Sequence, residues 1–259
     1  MSFSDKVLGF GAFANRGTPF EIDQSLVFAS GDSAYLSRTP SAASNRKTWT
    51  WSGWVKRGAL TSTQVIFGTG NVATGTTFGG LYFDSTDHLV AFDNTLTLAK
   101  YTNMVFRDPA AWYHIVVQMD TTQSTANDRV KLFVNGVQET AFDTTNNPSL
   151  NEDLGINATT EHRIGALNYS SPKIFDGYMA EVHFIDGTAL TPSTFGETNS
   201  TTEQWVPKEV KSVTYGTNGF YLKFVDSYPG LVTSASGGDS TATVDTDYKV
   251  HTSVSYTHL

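Results

Sequence analysis

The chain has 259 residues and a formal net charge of −8, with 17 basic and 25 acidic residues spread along its length. Because no basic run stands out, the composition argues against a nucleic-acid groove or an anionic membrane surface as the partner. The sequence contains no cysteine, which excludes disulfides, thiolate metal sites and cysteine nucleophiles.

Residues 1–22 predict an N-terminal arm. Gly9, Gly11, Gly17 and Pro19 separate several phenylalanines, a pattern typical of an extended segment that packs on another surface through its aromatic side chains. A loosely ordered terminus is an equally good interpretation. The arm lacks the basic and continuously apolar regions of a secretory signal, and no apolar run in the chain approaches the ~18 residues of a membrane span. We therefore expect no membrane insertion.

Strand signals begin at Ile22. Leu26–Phe28 and Ala34–Leu36 flank the turn sequence Gly31–Asp32, which predicts a β-hairpin. Further short apolar segments bounded by Gly, Asn or Asp are Thr48–Lys56, Gln64–Phe67, Gly80–Phe83, His88–Phe92, Trp112–Met119, Val130–Phe133, Arg163–Ala166 and Gly177–Ile185. Many short strands with such turns are typical of a sandwich or jelly roll.

Two of these segments indicate the sandwich most clearly. In residues 49–57 and 112–120, apolar residues recur at every second position, which is strand spacing and not helix spacing. The alternation places Trp51 on a core face and Trp54 on the opposite face, among polar neighbours. We predict an all-β fold, a two-sheet antiparallel β-sandwich of the jelly-roll type, over residues 23–197.

Two local signals fix turns within this domain. Asn135–Gly136 predicts a tight turn after the strand Val130–Phe133. The one convincing helix start is at Thr191, which can cap, followed by Pro192 at the first helical position. It predicts a single helical turn that closes the domain.

Residues 198–259 predict a linker and a C-terminal extension. Gly219–Phe224 predicts one more strand, whereas the tail from Ser227 is rich in Ser, Thr, Gly and Asp and has too few apolar residues for a core of its own. The start of a truncated second module is an alternative interpretation of this extension.

No pattern in the sequence predicts a catalytic residue. A glycoside hydrolase needs two acids that flank the scissile bond, roughly 5–9.5 Å apart. The nearest approximations are Glu21–Asp23 and the pair Glu181 and Asp186, whose odd spacing places them on opposite faces of a strand. Glu181 is more simply a strand-edge carboxylate that accepts backbone or tyrosine hydrogen bonds, and His114 and His183 are lone histidines with structural roles.

Aspartates in loops, among them Asp84, Asp87, Asp120 and Asp128, leave calcium as an alternative because Ca²⁺ requires hard oxygen ligands. No segment has the dense series of Asp and Asn of a dedicated site, so ordinary turn formation explains these residues better. We predict no metal ligand and no cofactor.

Sugar recognition requires exposed aromatic rings that stack on pyranose faces. Trp54 faces away from the predicted core, and Tyr82, Tyr101 and Tyr169 lie near loops, so these four residues are the candidate carbohydrate-binding residues. The alternative for Trp54 is that a neighbouring strand or loop covers it.

Six segments resemble the laminin-G/pentraxin-like branch of the concanavalin A-like lectin/glucanase sandwiches. They are Ser25–Phe28 with Tyr35–Leu36, Thr48–Lys56, Trp112–Val116, Lys131–Gly136 and Phe175–Val182. The resemblance implies a lectin-like jelly roll over residues 23–197, with Gly219–Phe224 similar to the opening strand of another such module. The glucanase catalytic motif is missing, and no residue matches the acids that hold calcium in pentraxin-like relatives.

Three shorter segments are similar to virion or tail-associated proteins of marine bacteriophages: Tyr35–Pro40, Trp49–Arg57 and Ile185–Pro192. This resemblance implies a non-enzymatic structural or receptor-binding module of a phage particle, which binds host glycans or neighbouring virion proteins. We expect a homo-oligomer in the virion, docked by the N-terminal arm, because several copies add avidity to weak sites.

Two alternatives remain open at this point. One is a secreted bacterial adhesin or polysaccharide-binding domain, extracellular or on the bacterial cell surface. The other, less well supported, is a glycoside hydrolase.

Overall fold

The computed structural model of the chain describes residues 20–70, 78–93, 96–167, 173–224, 240–244 and 248–252. Within these ranges the chain forms mainly antiparallel strands in two large sheets, which confirms the predicted all-β sandwich. The three helices of the described residues are single 3-10 turns, at Ser30–Asp32, Ala126–Asp128 and Pro192–Thr194. No helix there has the length and apolar character needed to cross a bilayer.

The strands in chain order are β1 (Leu26–Phe28), β2 (Tyr35–Arg38), β3 (Thr48–Arg57), β4 (Gln64–Thr69), β5 (Gly79–Phe83), β6 (His88–Asp93), β7 (Ala99–Val105), β8 (Tyr113–Asp120), β9 (Val130–Val134), β10 (Val137–Gln138), β11 (Phe142–Asn146), β12 (His162–Ile164), β13 (Ala166–Leu167), β14 (Lys173–Ile174), β15 (Gly177–Asp186), β16 (Gly196–Thr198), β17 (Trp205–Pro207), β18 (Phe220–Leu222), β19 (Ser240–Val244) and β20 (Tyr248–Thr252).

Sheet A has seven strands in the order β1-β15-β3-β8-β9-β10, with β18 also paired to β15. Sheet B has nine strands in the order β11-β7-β6-β5-β4-β12-β2-β20-β19. Two further pairs, β13 with β14 and β16 with β17, lie outside these sheets.

The main core lies between the two sheets and is built from the inward side of each alternating strand. Trp51 of β3 stacks on Phe67 of β4 with ring centroids 6.3 Å apart, and Phe67 contacts Phe184 of β15 at 5.7 Å. Residues one position away on the same strands, such as Trp54, point to the outside of the sandwich and take no part in this core. The period-two prediction for these strands is therefore confirmed.

The predicted hairpin between Leu26–Phe28 and Ala34–Leu36 is wrong. β1 pairs with β15 in sheet A, and β2 pairs with β12 in sheet B, so the two strands lie in different sheets. The turn at Gly31–Asp32 does form, but it carries the chain across the sandwich. Pairing with the long β15 places Phe28 against Phe175, with centroids 6.0 Å apart, and so buries an aromatic pair that a local hairpin would not bury.

The two local turn predictions are confirmed. Asn135 and Gly136 have φ angles of 48° and 80° and connect β9 to β10. The helical turn at Pro192–Thr194 also forms, although the Thr191 hydroxyl contacts Ser193 Oγ at 2.9 Å and makes no cap hydrogen bond.

The chain after residue 197 remains part of the sandwich as far as Phe224. β18 pairs with β15, and Asn218 is buried against Asp186. The strand predicted at Gly219–Phe224 forms over Phe220–Leu222 as a strand of sheet A. The predicted arm falls largely outside the described residues, as do residues 225–239, 245–247 and 253–259 of the predicted extension.

Candidate functional site

The outer face of sheet A carries a row of residues in register across three strands. Ala180 of β15 lies opposite Trp54 of β3, and Trp54 lies opposite His114 of β8. The rings of Trp54 and His114 stack with centroids 4.9 Å apart. Because side chains alternate between the two faces of a strand, these three aligned positions all face the outside of sheet A.

Residues 190–215, here called the strap, cover the part of this face next to the row. Phe195 packs with Val116 and Ile185, and Val210, Val213 and other apolar strap residues surround them. The indole N–H of Trp205 donates a hydrogen bond to His114 Nδ1 at 3.0 Å. The strap is therefore fixed to sheet A by apolar contacts and by hydrogen bonds, which also include Leu190 N–H to Thr50 Oγ1 at 2.7 Å and the Tyr215 hydroxyl with His183 Nδ1 at 2.8 Å.

A groove of about 300 Å³ lies on the uncovered side of the row. Trp54 and Ala180 are buried at its base, residues 22–25 precede β1 and Trp112 precedes β8 on the other side of β15 and β3, and Pro207 of the strap also lines the groove. This volume lies at the lower end of the range of small-ligand sites, roughly 300–1,000 Å³.

The two tryptophan rings of the groove differ in how exposed they are. Trp112 is 37% exposed, whereas Trp54 is 8% exposed because its ring is stacked on His114 at the base. Beside Trp112 stands Tyr178, 39% exposed, with ring centroids 6.5 Å apart, and Val27 lies opposite Tyr178 on β1. Exposed apolar side chains grouped in this way typically mark an interaction site.

The polar groups of the groove come from the segment before β1. Asp23, Gln24 and Ser25 line it, and Asp23 is exposed and makes no hydrogen bond or ion pair with another described residue. A carboxylate, an amide and a hydroxyl beside an exposed indole are the groups that bind sugar hydroxyls and stack on the apolar face of a sugar ring.

The four predicted sugar-binding residues do not form one site. Trp54 lies at the base of the groove on sheet A, whereas Tyr82 and Tyr101 lie on the outer face of sheet B, on the opposite side of the sandwich. There the two tyrosine hydroxyls contact each other at 3.1 Å, above an apolar cluster that includes Phe92. Tyr169 lies outside the described residues.

The sequence reasoning missed Trp112 and Asp23. Trp112 has the same parity as His114 in residues 112–120, so the alternation itself indicates that it faces outward. Asp23 precedes β1, and no local pattern connects it with β3, since the contact depends on the pairing of β1 with β15.

Ser52 and His114, on the same face, resemble a catalytic pair. However, the histidine carries its proton on the nitrogen that would have to accept the serine proton. Ser52 Oγ lies 2.9 Å from His114 Nε2. Because His114 Nδ1 accepts the Trp205 indole proton, the neutral ring carries its own proton on Nε2 and donates it to Ser52. Burial lowers the pKa of His114 to about 3, so this ring cannot serve as the base that activates Ser52.

Glu181 accepts the tyrosine hydrogen bond predicted for it, but it is buried within β15 and does not lie at a strand edge. Tyr221 donates a hydrogen bond of 2.6 Å to Glu181 Oε2, and burial raises the pKa of this carboxyl. Glu181 lies at a bulge in β15 with φ of 48°, which shifts the pairing with β3 and turns Met179 to the core but His183 outward. The packed side chains around Ser52, His114 and Glu181 leave a volume of about 0 Å³ for water or substrate.

The loop aspartates act as turn formers. Asp84 accepts hydrogen bonds from the backbone of Thr86 and His88, and Asp120 accepts from the backbone and hydroxyl of Thr122. Asp87 is buried and pairs with Arg57 at 3.0 Å. Among the described residues, no group of three or more His, Asp or Glu side chains could hold a metal ion.

A comparison with protein families matches residues 29–195 to the model of the concanavalin A-like lectin/glucanases superfamily. A comparison with curated proteins finds no match.

Among solved structures, the chain is similar to a candidate carbohydrate-binding protein from Bacteroides ovatus, with 16% identity and a TM-score of 0.57, over 90% of this chain and 59% of that one. The chain thus spans less than two thirds of that protein, and at this identity the likeness is one of fold.

Two further structures are more distant. They are the heptameric SAP-like pentraxin from Limulus polyphemus, with 14% identity over 73% of this chain and 94% of that one, and domain 4 of an extracellular arabinanase from Geobacillus stearothermophilus in complex with arabinotriose, with 25% identity over 60% and 68%. Their TM-scores are 0.48 and 0.43.

Proposed function

Because this chain belongs to the concanavalin A-like lectin/glucanases superfamily, we propose that it is a non-enzymatic glycan-binding module that holds a sugar in the groove beside Trp54 and Trp112. The observation that carries this proposal is the exposed Trp112 ring, which stands above a cleft of suitable size with Asp23, Gln24 and Ser25 opposite. A sugar ring would stack on Trp112, while its hydroxyls would bond to these three side chains.

The number and position of the carboxylates near the groove support a function without catalysis. Among the described residues that line the groove, Asp23 is the one carboxylate, whereas glycoside hydrolysis needs a pair. Glu181 is 5% exposed and engaged by Tyr221, and the Ser52–His114 pair has the wrong tautomer for nucleophile activation.

For the wider biological role, we propose a structural or receptor-binding module of a phage particle. This is supported by the resemblance of Tyr35–Pro40, Trp49–Arg57 and Ile185–Pro192 to virion and tail-associated proteins of marine bacteriophages. Several copies in a homo-oligomer would raise the avidity of a shallow groove for host glycans.

A glycan array tests the binding proposal. The wild-type protein is expected to bind a subset of glycans, and Trp112→Ala is expected to lower its affinity for them by about tenfold or more, as loss of an exposed aromatic anchor does in other interfaces. Tyr101→Ala, on sheet B, is the matched control and should leave the affinity unchanged. Equal loss in both variants, or binding to no glycan, would contradict the proposal.

Two further measurements address catalysis and the particle. Incubation of the protein with each bound glycan should release no reducing sugar; release that is lost in Glu181→Gln would instead establish a hydrolase.

The protein should co-sediment with phage particles and behave as an oligomer in light scattering. A monomer that is absent from particles would refute the virion role.

A further inference from the structure

We propose that the groove selects uncharged glycans and discriminates against glycans that carry carboxylate or sulfate groups. This inference rests on the proposed function, since it specifies the class of glycan that the same groove binds.

The charges of the groove point to this selectivity. Of the eight described residues that line it, Asp23 is the one with a charge, and no Lys, Arg or His is among these eight. An anionic sugar placed over Trp112 or Trp54 would bring its charge next to the Asp23 carboxylate. The two negative charges would lie within a Debye length of each other and would therefore repel.

Lys208, Lys223 and Lys56 lie around the groove but are not among its described lining residues. Lys208 follows Pro207, and its Nζ–H donates a hydrogen bond to the backbone oxygen of Ser193 at 3.1 Å, within the strap, while Lys223 lies near the Glu181 carboxylate. Lys56 lies opposite Tyr178 on the rim and is not among the lining residues. His114, behind the Trp54 ring, is neutral, since its Nδ1 accepts a hydrogen bond from the Trp205 indole N–H and therefore carries no proton.

The remaining groups suit a neutral sugar. Ser25 can donate and accept hydrogen bonds, Asp23 accepts them from sugar hydroxyls, and Trp112 offers an apolar surface. A formal net charge of −8 for the whole chain adds a weak, long-range repulsion of anionic polymers in the same direction.

The test is an array that contains neutral oligosaccharides together with matched sialylated, uronic-acid and sulfated forms. The wild type should bind neutral members at least about tenfold more tightly than their anionic counterparts. Asp23→Asn keeps the shape of the side chain and removes its charge, so the ratio of anionic to neutral affinity should rise by about tenfold. Lys56→Gln is the control and should leave neutral binding unchanged.

The outcomes separate this inference from the proposed function. If anionic glycans bind as tightly as neutral ones, or if Asp23→Asn leaves the ratio unchanged, the selectivity is refuted while glycan binding stands. If no glycan of either class binds, the proposed function fails and the inference fails with it.

Discussion

Trp54 and Trp112 face the same side of sheet A but differ in what they contribute. Trp112 stands on the rim at 37% exposure, so its ring is available to a ligand and holds little of the fold. Trp54 is 8% exposed and stacked on His114, so it supports the base of the groove and the row beneath the strap. The two rings should therefore respond differently to truncation.

Trp54→Ala is expected to lower the free energy of unfolding by about 3–5 kcal/mol, because it removes a large buried ring. It should also weaken glycan binding, since the base of the groove collapses. Urea denaturation and isothermal titration calorimetry measure the two effects, with Trp112→Ala as the comparison that loses affinity at nearly unchanged stability. A Trp54→Ala protein of wild-type stability would contradict this assignment.

Three buried histidines predict how stability depends on pH. Burial lowers the pKa of His114 and His183 to about 3 and that of His162 to about 4, against 6.5 in the unfolded chain. Below pH 6.5 the unfolded chain binds protons that the folded chain does not, so the free energy of unfolding decreases as the pH falls. Each histidine contributes up to about 1.4 kcal/mol per pH unit. Glu181, whose pKa is raised by burial, opposes this loss at acidic pH.

Urea denaturation at several pH values between 7.5 and 5 measures this dependence. His114→Gln can still accept from Trp205 and donate to Ser52, and it should make the dependence shallower by about one proton, or about 1.4 kcal/mol per pH unit. If the wild-type protein were equally stable at pH 7.5 and pH 5, the neutral buried histidines would be refuted.

At the scale of elements, the strap determines which part of the outer face of sheet A stays uncovered. Its Trp205 ring sits against Gly136 in the β9–β10 turn, where an added Cβ would come within 2.5 Å of the ring. The sequence predicted the Asn135–Gly136 turn from its φ requirements, because that signal is local. It could not predict that the glycine also makes room for Trp205, which lies far along the chain. The β1–β2 hairpin failed for the same reason: the better partner of β1, β15, is distant in sequence.

Gly136→Ala and Gly187→Ala form a matched pair. Both glycines have positive φ, 80° and 94°, so both substitutions carry backbone strain, but nothing lies within 4 Å of a Cβ added at Gly187. Gly136→Ala should therefore cost about 1–3 kcal/mol more, because the Trp205 ring must move. Chemical denaturation of the two variants measures the difference, and equal losses would show that Trp205 does not pack there.

The chain after residue 197 is expected to be needed for folding of the sandwich. A protein that ends at residue 197 lacks Trp205 and β18 and leaves the outer face of sheet A uncovered, so it should unfold at a much lower temperature than one that ends at residue 224. Thermal unfolding followed by circular dichroism compares the two. The same melting temperature for both would mean that residues 198–224 are dispensable for folding.

At the scale of the whole molecule, alternation along strands such as Trp49–Arg57 was enough to predict two stacked sheets with an aromatic core. It assigned Trp54 correctly to an outer face. Alternation cannot say which of two outer faces a residue occupies, so Trp54 was grouped with Tyr82 and Tyr101, although they lie on opposite sides of the sandwich. The groove itself depends on strand order and on the strap, both set by contacts distant in sequence.

The central claim is that a sugar binds in the groove on the outer face of sheet A and not on the outer face of sheet B. A crystal structure of the full chain soaked with the best neutral oligosaccharide from the array locates the sugar. We predict a sugar ring stacked on Trp112, with hydroxyls bonded to Asp23 or Gln24, in the groove on sheet A. A sugar bound instead at Tyr82 and Tyr101 on sheet B, with the groove empty, would contradict the account.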